Sequence, residues 1–226
     1  MENYVKIINI IDRSGSMSSI LESAINGFNE FIIEQKNQEG DAVVSTYMFS
    51  SNYQKLYENI NVKECNLLDK LTFIPGGMTA LYDAIGQTID NELDILGNLP
   101  KEERPVKTLC VILTDGYENS SKKYSSSKIK EMISEMKKDF DWEFIFLAAN
   151  EEASFTAETI GISKSNSYSW SNDSEGVKDA YAGISYATKA YRSSVTMDTM
   201  SMSFNSETLM DEYRNEVKKT NDETKN

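Results

Sequence analysis

The chain has 226 residues, 39% hydrophobic and 26% charged, which fits one large soluble domain or two small ones that need no external staple to bury a core. Thirty-six acids against 23 bases leave a formal charge of −13, which argues against nonspecific binding to nucleic acid or anionic membranes. Histidine is absent, which excludes Ser-His-Asp and Cys-His catalysis and imidazole zinc sites, and the two cysteines, Cys65 and Cys110, make no CxxC pair for thiolate zinc or an Fe–S cluster.

Two periodicities alternate along the chain. Tyr4–Ile11 is an apolar run closed by a Ser/Gly cluster, which reads as a strand buried on both faces. Ile20, Leu21, Ala24, Ile25, Phe28 and Ile32 repeat at helical spacing and predict an amphipathic helix over Met17–Lys36. Gly40-Asp41 breaks it. Ala42–Phe49 is β-branched and aromatic, and Tyr53–Ile60 alternates after a Ser50-Ser51-Asn52 turn, so these two predict a hairpin. Ala80–Leu96 is a second helix, Pro105–Thr114 a second buried strand, and Ile129, Met132, Ile133 and Met136 mark a third helix. Trp142–Ala149 is a third buried strand, Ala153–Ile160 a short helix and Ser165–Trp170 a weak strand. Val177, Ala180, Tyr181, Ile184, Ala187 and Tyr191 mark a last helix.

This alternation predicts an α/β fold. It is a doubly wound, mostly parallel six-stranded sheet with one antiparallel edge strand and helices on both faces, and Ile7–Ile11, Leu109–Leu113 and Phe144–Leu147 form its central core. Residues 1–192 read as one domain and 193–226 as a polar, methionine-containing tail, in which Leu209, Tyr213 and Val217 are spaced for a short helical stripe. The N-terminal segment lacks a basic n-region and a small-residue cleavage site, and no apolar run approaches the roughly 20 residues that span a bilayer, so a cytoplasmic location is expected. Both cysteines are expected as free thiols, Cys110 in a buried strand and Cys65 in a loop-like stretch.

In open parallel sheets ligands bind beyond the carboxyl ends of the strands, near the reversal of strand order. Asp12-Arg13-Ser14-Gly15-Ser16 follows the first strand, Thr114-Asp115-Gly116 follows the second buried strand, and Gly76-Gly77-Met78-Thr79-Ala80 precedes the second helix. Taken singly these are ordinary: a helix-capping serine turn, a threonine N-cap and an Asp-Gly turn. Together, Asp12, Ser14, Ser16, Thr79 and Asp115 make an all-oxygen constellation for a hard divalent cation such as magnesium. At most two carboxylates against several hydroxyls leave such a cation able to accept an acid from outside.

DRSGS, GGMTALYDAIG and LTDG, in this order on an alternating β/α pattern, resemble the von Willebrand factor type A domain. The resemblance spans about residues 4–192 and is closest to the small stand-alone members of bacteria and phages, which the chain also resembles in RPVKTLCVILTDGYENSS and WEFIFLAAN. It implies that the three segments form a metal-ion-dependent adhesion site. Asp12, Ser14, Ser16, Thr79 and Asp115 would then hold Mg2+ (or Mn2+ or Ca2+), and the open metal position would bind an Asp or Glu carboxylate of a protein partner. Met78 departs from the glycine or small polar residue of many members, which would narrow the mouth of the site.

The expected function is therefore a non-enzymatic protein-binding module with no catalytic residues, no nucleic-acid or membrane partner, and an open oligomeric state. The rivals are a magnesium-dependent phosphatase or nuclease and a self-assembling structural protein. Ser14 stands where a haloacid-dehalogenase-like phosphatase would carry its second aspartate, and no Walker A lysine loop is present. Lys122, Lys123 and Tyr124, in the loop leaving this face, are candidate partner contacts. Glu102-Glu103 and Glu151-Glu152 read as solvated surface, and Asp83 and Asp90 as either supports of the site or exposed acids.

Overall fold

The computed structural model describes residues 4–149, 153–193, 211–213 and 215. The apolar runs become β1 (Val5–Asp12), β2 (Ala42–Phe49), β3 (Tyr53–Asn61), β4 (Lys107–Thr114), β5 (Trp142–Ala148) and β6 (Ser167–Ser169). The helices are α1 (Leu21–Asn37), α2 (Leu81–Asn98), α3 (Ser126–Asp139), α4 (Ala153–Thr159) and α5 (Ser174–Ser193). One six-stranded sheet runs in the order β3-β2-β1-β4-β5-β6. Only β3 is antiparallel, paired to β2 at the edge; the other pairings are parallel.

Every residue of β1, β2 and β4 is buried, which is why these strands carry no polar alternation. Ile7, Ile11, Leu109, Val111 and Leu113 face one helical layer, α1 and α5. Ile8, Ile10, Cys110, Ile112, Phe144 and Phe146 face the other, α2 and α3. The expected central segments thus lie inside the sheet. In the first layer α1 and α5 approach closely at Gly27, where a Cβ would stand 2.3 Å from the Tyr181 ring, so a larger residue would push the helices apart.

The first helix differs from its expected form. Gly15–Ile20 is a 3-10 turn and α1 begins only at Leu21, without a side-chain cap at Ser14 or Ile20. The serines are drawn toward one another and toward Asp115 instead, and the tighter turn aims them there. Cys65 follows a short 3-10 turn and is buried, as is Cys110, and both are free thiols. Ser125 caps α3 by accepting the Lys128 amide at 3.3 Å. Glu151-Glu152 and most of the tail, Leu209 and Val217 included, lie outside the described residues; the Tyr213 ring lies 6.2 Å from that of Tyr186 on α5. No helix among the described residues is long and apolar enough to cross a membrane.

An ion pair is buried beneath α2. Lys6 on β1 and Glu92 on α2 are both 0% exposed, and their charged groups meet directly. The Tyr47 hydroxyl donates to Glu92 Oε1 at 2.7 Å, and Lys6 Nζ donates to Asn59 Oδ1 at 3.1 Å. Burial holds the Lys6 ammonium below the usual lysine range, opposed by Glu92. Such a pair gains little over an apolar substitute, but either half alone is costly. Lys6→Met is therefore expected to lower the unfolding free energy by about 3–5 kcal/mol in urea titrations. Lys6→Met combined with Glu92→Leu should recover most of that loss.

Candidate metal centre

β1 and β4 are neighbours, and the chain leaves them toward opposite sides of the sheet, to β2 and to β5. A crevice opens at such a reversal. Asp12 closes β1 and Thr114 closes β4, so Asp12 and Asp115 reach the same edge because their strands pair in register up to Ile11 and Leu113.

Asp12 is 0% exposed. Its Oδ1 accepts the Ser14 amide at 2.6 Å, which bends the DRSGS segment back over the strand end, and its Oδ2 accepts the Thr114 hydroxyl at 2.6 Å. The Ser14 and Ser16 hydroxyls are 3.1 Å apart, and Ser16 Oγ donates to Asp115 Oδ1 at 2.7 Å. Thr79 enters from the loop before α2. A Cβ built on Gly116 would lie 3.0 Å from Thr79 Oγ1, 3.7 Å from Ser16 Oγ and 3.8 Å from Asp12 Oδ2. Three oxygens, two from the Asp12–Ser16 segment and one from the loop before α2, therefore surround one spot, which any side chain at position 116 would crowd. All five expected residues converge here, with Ser16 at the solvent side and the others buried.

The electrostatics are unbalanced. Burial, and then the neighbouring Asp115 charge, raise the Asp12 carboxyl to about 6 against the opposing hydrogen bonds from Thr114 and Ser14. Burial also raises Asp115, opposed by Ser16. Asp115 Oδ2 is buried and accepts no hydrogen bond among the described residues. Neither carboxylate forms an ion pair with a basic side chain among them. Two desolvated carboxylates and three hydroxyls, one carboxylate oxygen being unpartnered, fit a hard oxygen-seeking cation.

The supports of this edge were only partly legible in the sequence. Arg13 N donates to Phe49 O at 2.7 Å, Gly76 N to Arg13 O at 2.9 Å, Gly15 N to Gly77 O at 3.1 Å, and the Arg13 guanidinium to Ile74 O at 3.1 Å. These tie the DRSGS loop to the loop carrying Thr79. Gly77 sits at φ +82, a backbone region that L side chains disfavour. Asn119 brackets Thr79: its Oδ1 accepts the Thr79 amide at 2.9 Å and its own amide donates to Thr79 O at 3.0 Å. Glu118 accepts the Ser120, Ser121 and Tyr82 amides, and Asp83 accepts those of Lys122, Lys123 and Tyr124. Asp83 is thus a staple between α2 and the loop after β4, and Asp90 accepts the Tyr124 hydroxyl. No spacing rule announces Asn119 or Glu118. Met78 is 53% exposed and stands at the rim.

The family model for the von Willebrand factor type A domain matches residues 7–183. Proximal thread matrix protein 1 from the mussel byssus, solved with a zinc-occupied MIDAS motif, superposes with a TM-score of 0.57 at 14% identity, over 84% of this chain and 46% of that one. The ArnB paralog VWA2 from Sulfolobus acidocaldarius gives 0.54 at 16% identity, over 81% and 44%. Manganese-loaded TRAP protein from Plasmodium vivax gives 0.52 at 16% identity, over 80% and 72%. The chain thus spans under half the length of the first two. No curated protein sequence matches it.

Isothermal titration with magnesium or manganese is expected to give one site per chain, lost in Asp12→Ala and Thr79→Ala. Apo-state stability should fall by no more than about 1.5 kcal/mol, because Asp12→Ala loses two hydrogen bonds but also a desolvated charge, and Thr79→Ala keeps both backbone hydrogen bonds to Asn119. Asn119→Ala, which leaves all five oxygens in place, should weaken metal binding about tenfold or more.

Proposed function

We infer that this chain, which belongs to the von Willebrand factor type A family, is a protein-binding module. Asp12, Ser14, Ser16, Thr79 and Asp115 hold a divalent cation, Mg2+ (or Mn2+ or Ca2+), and a protein partner presents an Asp or Glu carboxylate to it. The single observation that carries this reading is the composition of the centre: only two carboxylates, with Asp115 Oδ2 buried and unpartnered, in a shell otherwise made of neutral hydroxyls. When bound, the cation supplies a Lewis-acidic position that a carboxylate from outside can occupy.

The protein's own residues do the rest. Asp12 and Asp115 provide the negative charge, and Thr114 and the Ser14 amide fix the Asp12 carboxylate. Ser16 lies on the exposed side, where a partner arrives. The metal-occupied adhesion-type relatives, zinc in the byssal protein and manganese in TRAP, support the same assignment here. A hydrolase reading is disfavoured by Ser14, which occupies the place of the general acid that an aspartate-nucleophile phosphatase needs. Two free, buried cysteines fit the cytoplasmic location we assign.

Affinity capture from a lysate of the native host, in magnesium and in EDTA, checks this reading. A partner retained by the wild type in magnesium is expected to be lost in EDTA and with Asp12→Ala. Equal retention in all three conditions would refute the capture mechanism. Magnesium-dependent phosphatase or nuclease turnover that disappears with Asp12→Ala would establish the hydrolase instead.

A further inference from the structure

We propose that the groove beside the metal centre receives a second acidic side chain of the same partner segment, so that the protein reads a pair of carboxylates rather than one. This rests on the metal-dependent capture inferred above and adds to it the chemistry of the partner.

The groove, of about 360 Å³, runs between the β2–β3 turn and the first two turns of α2, with Lys122 and Lys123 on its wall. It shares backbone with the metal loop. Ala80 N donates to Ser50 O at 3.1 Å, Met78 N donates to Ser51 Oγ at 2.8 Å, and a Cβ on Gly77 would stand 2.9 Å from Ser51 Oγ. One layer of chain therefore separates the groove from the DRSGS loop. An extended peptide advances roughly 3.3 Å per residue. Two acids placed two to four residues apart would stand roughly 7–13 Å from one another, which is the separation the proposal requires between the metal centre and the lysines.

The groups facing the groove favour an anion. Lys122 and Lys123 are exposed, and neither forms an ion pair among the described residues. Lys123 Nζ donates to Gln87 Oε1 at 3.3 Å. The acid in the wall, Asp83, is engaged by the Lys122, Lys123 and Tyr124 amides at 2.8–2.9 Å, which spreads its charge and anchors the backbone beneath both ammonium groups. Two lysines whose backbone Asp83 anchors, beside a floor of mixed polar and apolar side chains in a chain of net charge −13, form a local basic patch beside the proposed carboxylate site.

The test uses the full chain, labelled for NMR and titrated with blocked glycine peptides carrying two glutamates separated by one, two or three residues. Matched peptides have the second glutamate replaced by glutamine. In magnesium, at least one two-acid spacing is expected to bind roughly threefold or more tightly than its one-acid partner and to shift the Lys122 and Lys123 amides together with those of Ser14 and Ser16. Lys122→Glu combined with Lys123→Glu should erase that advantage, so that the two-acid peptide no longer binds this variant more tightly than its one-acid partner does. Lys178→Glu combined with Lys189→Glu, the same charge change on α5 behind the other face of the sheet, should preserve it. If no spacing beats its one-acid partner, or the advantage survives reversal of Lys122 and Lys123, or the α5 control loses it equally, the groove plays no part. One-acid binding that needs magnesium would then still stand as the metal reading. Failure of every peptide to bind in magnesium, or binding that is unchanged in EDTA, overturns both.

Discussion

Two carboxylates taken out of water at the ends of adjacent strands are the constraint around which this edge of the molecule is organised. Asp12 and Asp115 arrive together because β1 and β4 pair side by side, and no strand rearrangement could part them without opening the centre of the sheet. Their burial is unfavourable to both charges, and the Asp12 carboxyl is raised to about 6 as a result. Thr114, Ser14 and Ser16 each give a hydrogen bond to one of the two acids, yet none of them brings a positive charge. A divalent cation would balance the charge of such a donor set.

Keeping Thr79 beside those acids depends on where α2 stands. The helix is fixed at two levels. Deep in the core, Glu92 meets Lys6 and Tyr47, which joins α2 to β1 and β2. At its start, the Asn119 bracket, Glu118 and Asp83 fasten it to the loop that leaves β4. The loops of the metal edge lie outside the apolar core but are held by hydrogen bonds to backbone amides, so the donors stand in place before any cation arrives. Preorganisation of this kind lowers the ordering cost of binding.

The sheet was legible because its central strands are buried on both faces, and sequences such as Ile7–Ile11 and Leu109–Leu113 carry no polar alternation. The five candidate residues, which the structure gathers at one edge, could be picked out because four stand at or just after strand ends and Thr79 precedes α2, in a recognisable order. Lys6 and Glu92 were not: a lysine at the head of an apolar strand and a glutamate on a helix look like surface until the partner from another element is known. Asn119 acts through its own amide and side chain on Thr79, 40 residues earlier, a relation that no local pattern contains. The 3-10 turn at Gly15–Ile20 escaped helical periodicity because the polar pull of the site overrides it over its first residues.

The charge count at the centre also bears on how a partner would reach it. Two carboxylates and a divalent cation sum to zero, so the filled site exerts almost no long-range attraction on an acid. The rest of the chain, at −11 once those two carboxylates are set aside from the total of −13, repels one. Screening confines that repulsion to about 8–10 Å at ordinary ionic strength, which leaves the last approach to nearby groups. On this face those groups are Arg13, whose guanidinium rests on Ile74 O, and Lys122 and Lys123 beside the groove. A neutral metal centre selects the carboxylate at contact, whereas the lysines bias which acidic segment comes into contact at all. On the proposed reading, affinity depends on the cation and on a second acid at the lysines, and encounter rate depends on salt.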